Sequence, residues 1–302
     1  MRHLTTHRYI DLVARTGSIR SAAQRVHQTP SAVQRRIQSY EDELGFPIFE
    51  RSTTGVRLTS AGELVIQHIR EMLAETERLK SRVADLAGMR RGHVNIGCSQ
   101  AMAPYFLPDQ IALYQSKFPQ VTFNVSVMEH DEAGPALEAC LIDLALVFDK
   151  RSSPNYKILQ SVPQRLSVLM RQGHPLASMQ ELRLRQCFEY PIILPISGFG
   201  GRALVDRAIY GKGYASAPIL ESNSFEYLKA HVARTDALSF QVEIGTPSQE
   251  TDAGITGRKL DERDIEGGVL LFSQKEGRLL PVAASRFLEQ MSKALVDQFG
   301  EP

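Results

Sequence analysis

The segment between Thr16 and Gly62 constrains this chain more than any other. Ser18 is a natural helix N-cap, because its hydroxyl can accept a free backbone N–H. Behind it, Ile19, Ala22, Ala23 and Val26 recur at helical spacing. The two small alanines let a second helix cross closely. His27 and Gln28 supply a turn, Thr29 caps the next helix, and Pro30 takes its first position, where a missing N–H costs nothing. That second helix places Val33, Ile37, Tyr40 and Leu44 on one stripe, turns Gln34, Arg35, Arg36 and Gln38 to other faces, and ends at Gly45.

An ordinary amphipathic helix pair with a solvated polar face would look much the same up to Gly45. The residues after Gly45 separate the two readings. Phe49, Glu50 and Arg51 lead into a hairpin turn at Gly55, with Arg57 beyond it and strand-forming Val56 and Thr59. Two short helices and then a small basic hairpin are the layout of a winged helix-turn-helix. Arg can bond guanine edges with both arms and Gln can bond adenine. The N–H groups at Thr29 and Ser31 can hold a phosphate, and a basic hairpin suits the phosphates beside the minor groove. Net charge over the whole chain is only +1. Up to Gly62, however, Arg2, Arg8, Arg15, Arg20, Arg25, Arg35, Arg36, Arg51 and Arg57 face only Asp11, Glu41, Asp42, Glu43 and Glu50. The basic excess sits where a nucleic-acid surface would be.

The runs Ser18-Ile19-Arg20-Ser21-Ala22-Ala23, Thr29-Pro30-Ser31-Ala32-Val33, Leu44-Gly45-Phe46-Pro47-Ile48-Phe49-Glu50-Arg51 and Leu58-Thr59-Ser60-Ala61-Gly62 resemble those of LysR-type transcriptional regulators. The resemblance implies a DNA-binding role for Ser18, Arg20, Thr29, Pro30, Ser31, Gln34, Arg35, Arg36, Arg51 and Arg57. Gln34 and Arg36 stand where many members carry Ser and Gln, which bears on the base sequence preferred.

From Ala61 to about Leu86 one long helix is expected. Val65, Ile69, Met72, Thr76, Leu79, Val83 and Leu86 alternate at four and three, a heptad seam. A seam of three heptads points to pairing with a second copy, since a dimeric reader of two-fold DNA needs such an element. Packing onto the chain's own body is the alternative. Gly88 and Arg90-Arg91-Gly92 break the helix.

Beyond His93 the pattern changes to alternating strands and helices. Strands are expected at His93–Cys98, Val121–Val127, Asp143–Phe148, Arg165–Met170, Pro191–Leu194, Ala237–Leu238 and Gly268–Phe272. Helices are expected at Met102–Ser116, Ala133–Ala139, Gly201–Tyr210, Phe225–Ala233 and Pro281–Phe299. The β-α-β-α-β order implies a parallel sheet with helices on its faces. The expected architecture is an N-terminal winged helix-turn-helix, all-α with a small β wing, at 1–60. A linker and dimerisation helix comes next at 61–89, and then an α/β effector-binding region at 90–302. By the resemblance, that region has two subdomains similar to type 2 periplasmic binding proteins. The first covers about 93–161 plus 268–302, and the second about 162–267.

Ligands of such sheets bind beyond the carboxyl ends of strands. That rule selects Ser99, Gln100, Phe148, Asp149, the glycine-rich turn Ser197, Gly198 and Phe199, then Ser222, Asn223, Phe240 and Gln241. Each taken singly reads equally as a cap or a turn. Many members of the resembled family carry a glycine-rich apolar segment where this chain has Thr235–Glu243. Phe148, Phe199 and Phe240 could give an aromatic lining and Asp149 could bond an amine or hydroxyl. An aromatic or amino-containing acid is therefore the expected effector class, with the three rings as plain core the competing reading.

Three cysteines, Cys98, Cys140 and Cys187, have no metal-ligand or redox-motif spacing and read as buried reduced thiols. No signal peptide or membrane-spanning run is apparent, so a cytoplasmic protein is expected. The expected partners are double-stranded promoter DNA, a small-molecule effector and further copies of the chain, as a dimer or tetramer. RNA polymerase is a further candidate partner. Neither cofactor, metal nor catalytic residue is expected: His130 beside Asp131 and Glu132 is the nearest cluster to an enzyme site and reads as a solvated loop. A thiol redox-responsive regulator using Cys98 and an enzyme on the same scaffold stand as alternatives.

Overall fold

The computed structural model describes residues 2–52, 55–86, 91–148, 156–210, 217–247 and 254–299, without the side chains of residues 2, 51 and 52. The chain divides into two compact units, Met1–Met89 with Ala139–Leu141, and Arg90–Glu138 with Ile142–Pro302.

The first unit carries α1 (Arg2–Thr16), α2 (Ile19–Arg25), α3 (Pro30–Leu44), β1 (Phe49–Ser52), β2 (Gly55–Leu58) and α4 (Ser60–Leu86). The local signals place the helices as the sequence suggests. Ser18 Oγ accepts Ser21 N–H at 3.3 Å and Thr29 Oγ1 accepts Ala32 N–H at 3.2 Å. Gly45 ends α3 with φ +81°, a conformation in which a Cβ is costly. Val33 and Ile37 are buried while Tyr40 and Leu44 are half-buried, joined by Ile10, Val13, Ala22, Ala23, Ile48, Ile66 and Ile69 in one core. Burying one such side chain is worth about 1.5–3 kcal/mol. β1 and β2 form the antiparallel wing, pairing Phe49 with Leu58 and Glu50 with Arg57.

The heptad seam of α4 is divided. Its first positions, Val65 and Ile69, together with Ile66 and Leu73, belong to the unit's own core. Arg70 also pairs with Asp11 of α1 at 2.7 Å. Further along, Met72, Leu79 (59%), Val83 (57%) and Leu86 (89%) are exposed.

The second unit holds two sheets and their helices. β3 (Gly92–Cys98), α5 (Phe106–Lys117), β4 (Val121–Val127), α6 (His130–Glu138), β5 (Leu144–Phe148) and β6 (Tyr156–Gln164) come first. Next are β7 (Leu166–Arg171), a 3-10 turn at Pro175–Ser178, β8 (Glu181–Leu182), α7 (Leu184–Cys187), β9 (Ile193–Pro195), α8 (Gly200–Ile209) and β10 (Leu220–Ser222). α9 (Phe225–Val232), β11 (Ser239–Val242), a 3-10 turn at Glu243–Gly245, β12 (Ile255–Leu260), β13 (Gly268–Lys275) and α10 (Val282–Phe299) complete the order.

Lobe I is built on a five-stranded sheet in the order β4-β3-β5-β13-β6. β4, β3, β5 and β6 run in one direction, and β13 alone runs antiparallel, between β5 and β6. The expected parallel sheet is therefore mixed. Lobe II is built on the sheet β11-β7-β12-β8 and the parallel pair β10-β9. The chain crosses between lobes at Arg165, between β6 and β7, and returns between β12 and β13. α10 lays Phe287, Met291 and Leu295 into the core of lobe I with Tyr114 of α5.

Three departures from the expected elements have local causes. α5 starts at Phe106 rather than Met102, because Pro104 disfavours helix at the residue before it. The strand β6 has no clear signature in the sequence, since its exposure does not alternate and Pro163 interrupts it; on a sheet edge, a missing N–H is tolerated. β12, with Gly257, Arg258 and Lys259, owes its strand form to β7 beside it rather than to its own residues.

Candidate functional site: a nucleic-acid face and an interlobe cleft

On α3, the core stripe of Val33 and Ile37 fixes what the opposite side presents. Ser31, Gln34, Arg35 and Gln38 are exposed there, with Gln38 Nε2 held by Asp42 at 3.0 Å. Arg36 is exposed too, but lies on the flank, with its guanidinium 5.8 Å from the Tyr9 ring centroid. Arg20 on α2 and Arg57 on the wing are exposed. Ser18 and Thr29 act as caps, and Pro30 occupies the first turn. Arg51 lies on β1 opposite Val56, and its side chain is outside the described residues.

Two residues not singled out in the sequence hold this face in place. Glu41 of α3 accepts N–H bonds from Ile48 at 2.7 Å and Phe49 at 3.0 Å, pinning the wing to the helix. Its place seven and eight residues before those N–H groups gives no local signal. His7 of α1, buried, bonds the Tyr40 hydroxyl at 3.0 Å through Nε2 and leaves Nδ1 without a hydrogen bond. Burial, then the charges of His3 and His68, lower the His7 pKa. Burial and Glu43 raise that of Tyr40.

In the second unit, Ser99 lies just after β3. Its N–H bonds the Leu146 carbonyl at 2.9 Å, it is 3% exposed, and its Oγ has no hydrogen-bond partner. The Gln100 side chain reaches from this loop to lobe II: Nε2 donates to the Asn223 carbonyl at 2.6 Å, and Oε1 accepts Phe225 N–H at 2.9 Å. Phe148 ends β5 and meets lobe II at Gly200, where an added Cβ would come within 2.9 Å of Phe148 Cβ. Phe199 packs on Phe225 with ring centroids 5.4 Å apart. Gln241 is buried near Ala101, both bordering the position of a Cβ on Gly245. Ser99, Gln100, Phe148, Phe199, Asn223 and Gln241 are thus gathered where the lobes meet.

Other expected residues stand apart. Phe240 stacks on Phe188, just after α7, with ring centroids 6.3 Å apart inside lobe II, and its strand β11 sets it opposite Val168 of β7. The three phenylalanines do not form one lining. Ser197 and Gly198 lie exposed in the β9–α8 turn. Ser222 Oγ accepts Ser224 N–H at 3.1 Å, while Ser224 is the residue that caps α9. Asp149 is outside the described residues. His130 is not in a solvated loop: it opens α6, buried, with Nδ1 3.1 Å from the Tyr156 hydroxyl. Burial pushes the Cys98 and Cys187 thiols up to about 12. Among the described residues no group of His, Cys, Asp or Glu is placed to hold a metal ion, and no helix is long and apolar enough to cross a membrane.

Comparison with known proteins covers both units. Residues 4–63 match the family described as bacterial regulatory helix-turn-helix protein, lysR family, and residues 87–295 match the LysR substrate binding domain. A probable nitrogen assimilation transcriptional activator of Synechococcus elongatus is 28% identical over 89% of this chain and 88% of its own. The transcriptional regulator CysB of Burkholderia cenocepacia is 26% identical over 81% and 79%. A full-length OxyR variant from Pseudomonas aeruginosa shares the fold at TM-score 0.69 and 20% identity, over 97% of this chain and 94% of that one. CbnR complexed with target DNA shares it at TM-score 0.65 and 17% identity, over 96% and 99%. With a helix-turn-helix and an effector-binding domain matched in the order the sequence places them, the chain belongs to the LysR family of transcriptional regulators.

Proposed function

We propose that this regulator reads DNA with the outer face of α3 and answers to a small acid bound between lobes I and II. Gln34, Arg35 and Ser31 contact base edges, and Arg36 approaches from the flank. Arg20, Arg51 and Arg57 anchor phosphates, and the caps at Ser18 and Thr29, with Pro30, keep the helix pair in register. Copies of the chain pair through the exposed end of the α4 seam, at Leu79, Val83 and Leu86. Pairs of dimers and RNA polymerase are further partners in this reading.

The single observation that supports an effector is the Ser99 hydroxyl, buried at the end of β3 without a protein partner. A buried hydroxyl left unsatisfied costs on the order of 1–3 kcal/mol, and an effector carboxylate or amine would recover that. Phe148 and Phe199 bring aromatic surface to the same region. Aromatic or amino-containing acids remain the class to test. A thermal-shift screen of the full chain against such acids is the experiment. A ligand at about 100 times its dissociation constant adds roughly 2.7 kcal/mol to the unit that binds it. A hit that disappears in Ser99→Val supports the reading, and a hit unaffected by Ser99→Val sinks the role of Ser99.

A further inference from the structure

Lobe I holds lobe II through the loop between β3 and α5, and the holding groups are specific. Gln100 contributes both ends of its amide. The NH2 donates to the Asn223 carbonyl at 2.6 Å and the oxygen accepts Phe225 N–H at 2.9 Å. One turn further along α9, Lys229 is 4% exposed. Its ammonium donates to the Tyr105 hydroxyl at 3.0 Å, lies 4.4 Å from the Tyr105 ring centroid and pairs with Glu226 at 3.0 Å. Between these two grips Ala101 packs on Gly245, where an added Cβ would come within 3.1 Å of it. Gln100, Ala101 and Tyr105 thus fasten one short loop of lobe I to one face of lobe II.

We infer that Gln100 is a positioning residue, an interlobe clasp that sets the spacing of the lobes and closes the start of α9 to carboxylate effectors. This rests on the cleft reading proposed above. The chemistry lies in the pairing. The start of α9 offers Gln100 one donor and one acceptor, and a neutral amide satisfies both. A carboxylate could accept from Phe225 N–H, but its second oxygen would face the Asn223 carbonyl, acceptor against acceptor. An acid that displaced Gln100 would therefore exchange two good hydrogen bonds for one good contact and one repulsive one. The rest of the turn is also occupied, since Ser224 Oγ already takes Tyr227 N–H at 3.2 Å. An acidic effector is directed away from α9 toward the β3 and β5 ends, and the lobes keep their spacing through protein groups alone.

The test is the distance between lobes in the full chain with no ligand added. Spin labels are placed on Asn124→Cys in lobe I and Arg185→Cys in lobe II, both exposed positions, in a Cys140→Ser background and diluted with unlabelled chain. Gln100→Ala removes the clasp. Gln100→Glu keeps its size and its bond from Phe225 N–H but sets a carboxylate against the Asn223 carbonyl. The expected result is a narrow distance distribution with Gln100 and, in both variants, a broader one shifted by more than about 2 Å, the scale of a genuine domain rearrangement, while the melting temperature of the DNA-binding unit is unchanged. An unchanged distribution in the two variants would overturn the clasp. Because no effector enters the measurement, a cleft that binds no acid at all is a separate outcome, read from the thermal-shift screen. A clasp that fails leaves that screen able to succeed.

Discussion

Arg57 and Gln34 make the division of labour on the first unit testable at the scale of single side chains. Arg57 is exposed on the wing; in the proposed role of phosphate anchor, Arg57→Ala should weaken binding to specific and random duplexes alike and reduce the salt slope by about one. Gln34→Ala should instead lose about 1–3 kcal/mol of discrimination at one base pair. Equal losses on both duplexes would remove Gln34 from the reading face. His7 sets a pH dependence. Its folded pKa is lowered, so the unfolded chain takes up the proton first, and stability falls as pH drops below about 6.5 toward the lower folded value. The stability of the first unit, followed in urea at about pH 7.5 and about pH 5.5, on either side of the ordinary histidine value, should decline on acidification, and His7→Phe should abolish that decline. A pH-independent midpoint in the unaltered protein would refute this. Cys98, with its thiol pushed up to about 12, should resist alkylation in the folded chain at mildly alkaline pH, which weighs against a redox switch at that position.

Elements are legible where their causes are local. Ser18, Thr29, Pro30 and Gly45 each act within a turn of their own position, so α2 and α3 can be bounded from the sequence; Thr59, expected in the wing strand, instead follows β2 and caps α4, accepting Gly62 N–H at 2.9 Å. β6 and β12 are not legible, because what makes them strands is β13 and β7, distant in sequence. The α4 seam can be read as apolar but not divided, since nothing along the helix says that Val65 and Ile69 join the core while Leu79 and Val83 face outward. The cleft shows the same limit: Ser99 is found from the strand-end rule, whereas the engagement of Gln100 with α9 depends on residues 123 and 125 positions away. Two predictions belong here. Leu79→Glu with Val83→Glu should weaken self-association at least about tenfold in sedimentation, a loss of about 1.4 kcal/mol or more, while leaving the first unit folded; unchanged association would place the dimer contact elsewhere. Arg278 pairs with Asp143 at 2.6 Å, its partner's side chain being 4% exposed. Arg278→Ala should therefore destabilise the second unit by about 3–5 kcal/mol, the cost of a buried charge without its partner. A loss below about 1 kcal/mol in urea, the scale of an exposed pair, would show that the Asn95 bonds to Asp143 suffice.

At the scale of the whole molecule, a DNA reader in the first unit is joined to a ligand-responsive pair of lobes in the second. Each unit has its own hydrophobic core, and a ligand acts on the first only through differential affinity for states of the second. Sequence-specific reading by α3 is tested most directly by selecting duplexes from a random pool with the full chain at fixed salt, with and without Arg35→Ala. The unaltered protein should enrich one sequence with two related half-sites about 10 bp apart, or a multiple of that, and Arg35→Ala should retain weak, unselective binding but lose the enrichment. A pool that stays random, or the same sequence enriched by Arg35→Ala, would contradict that role for α3.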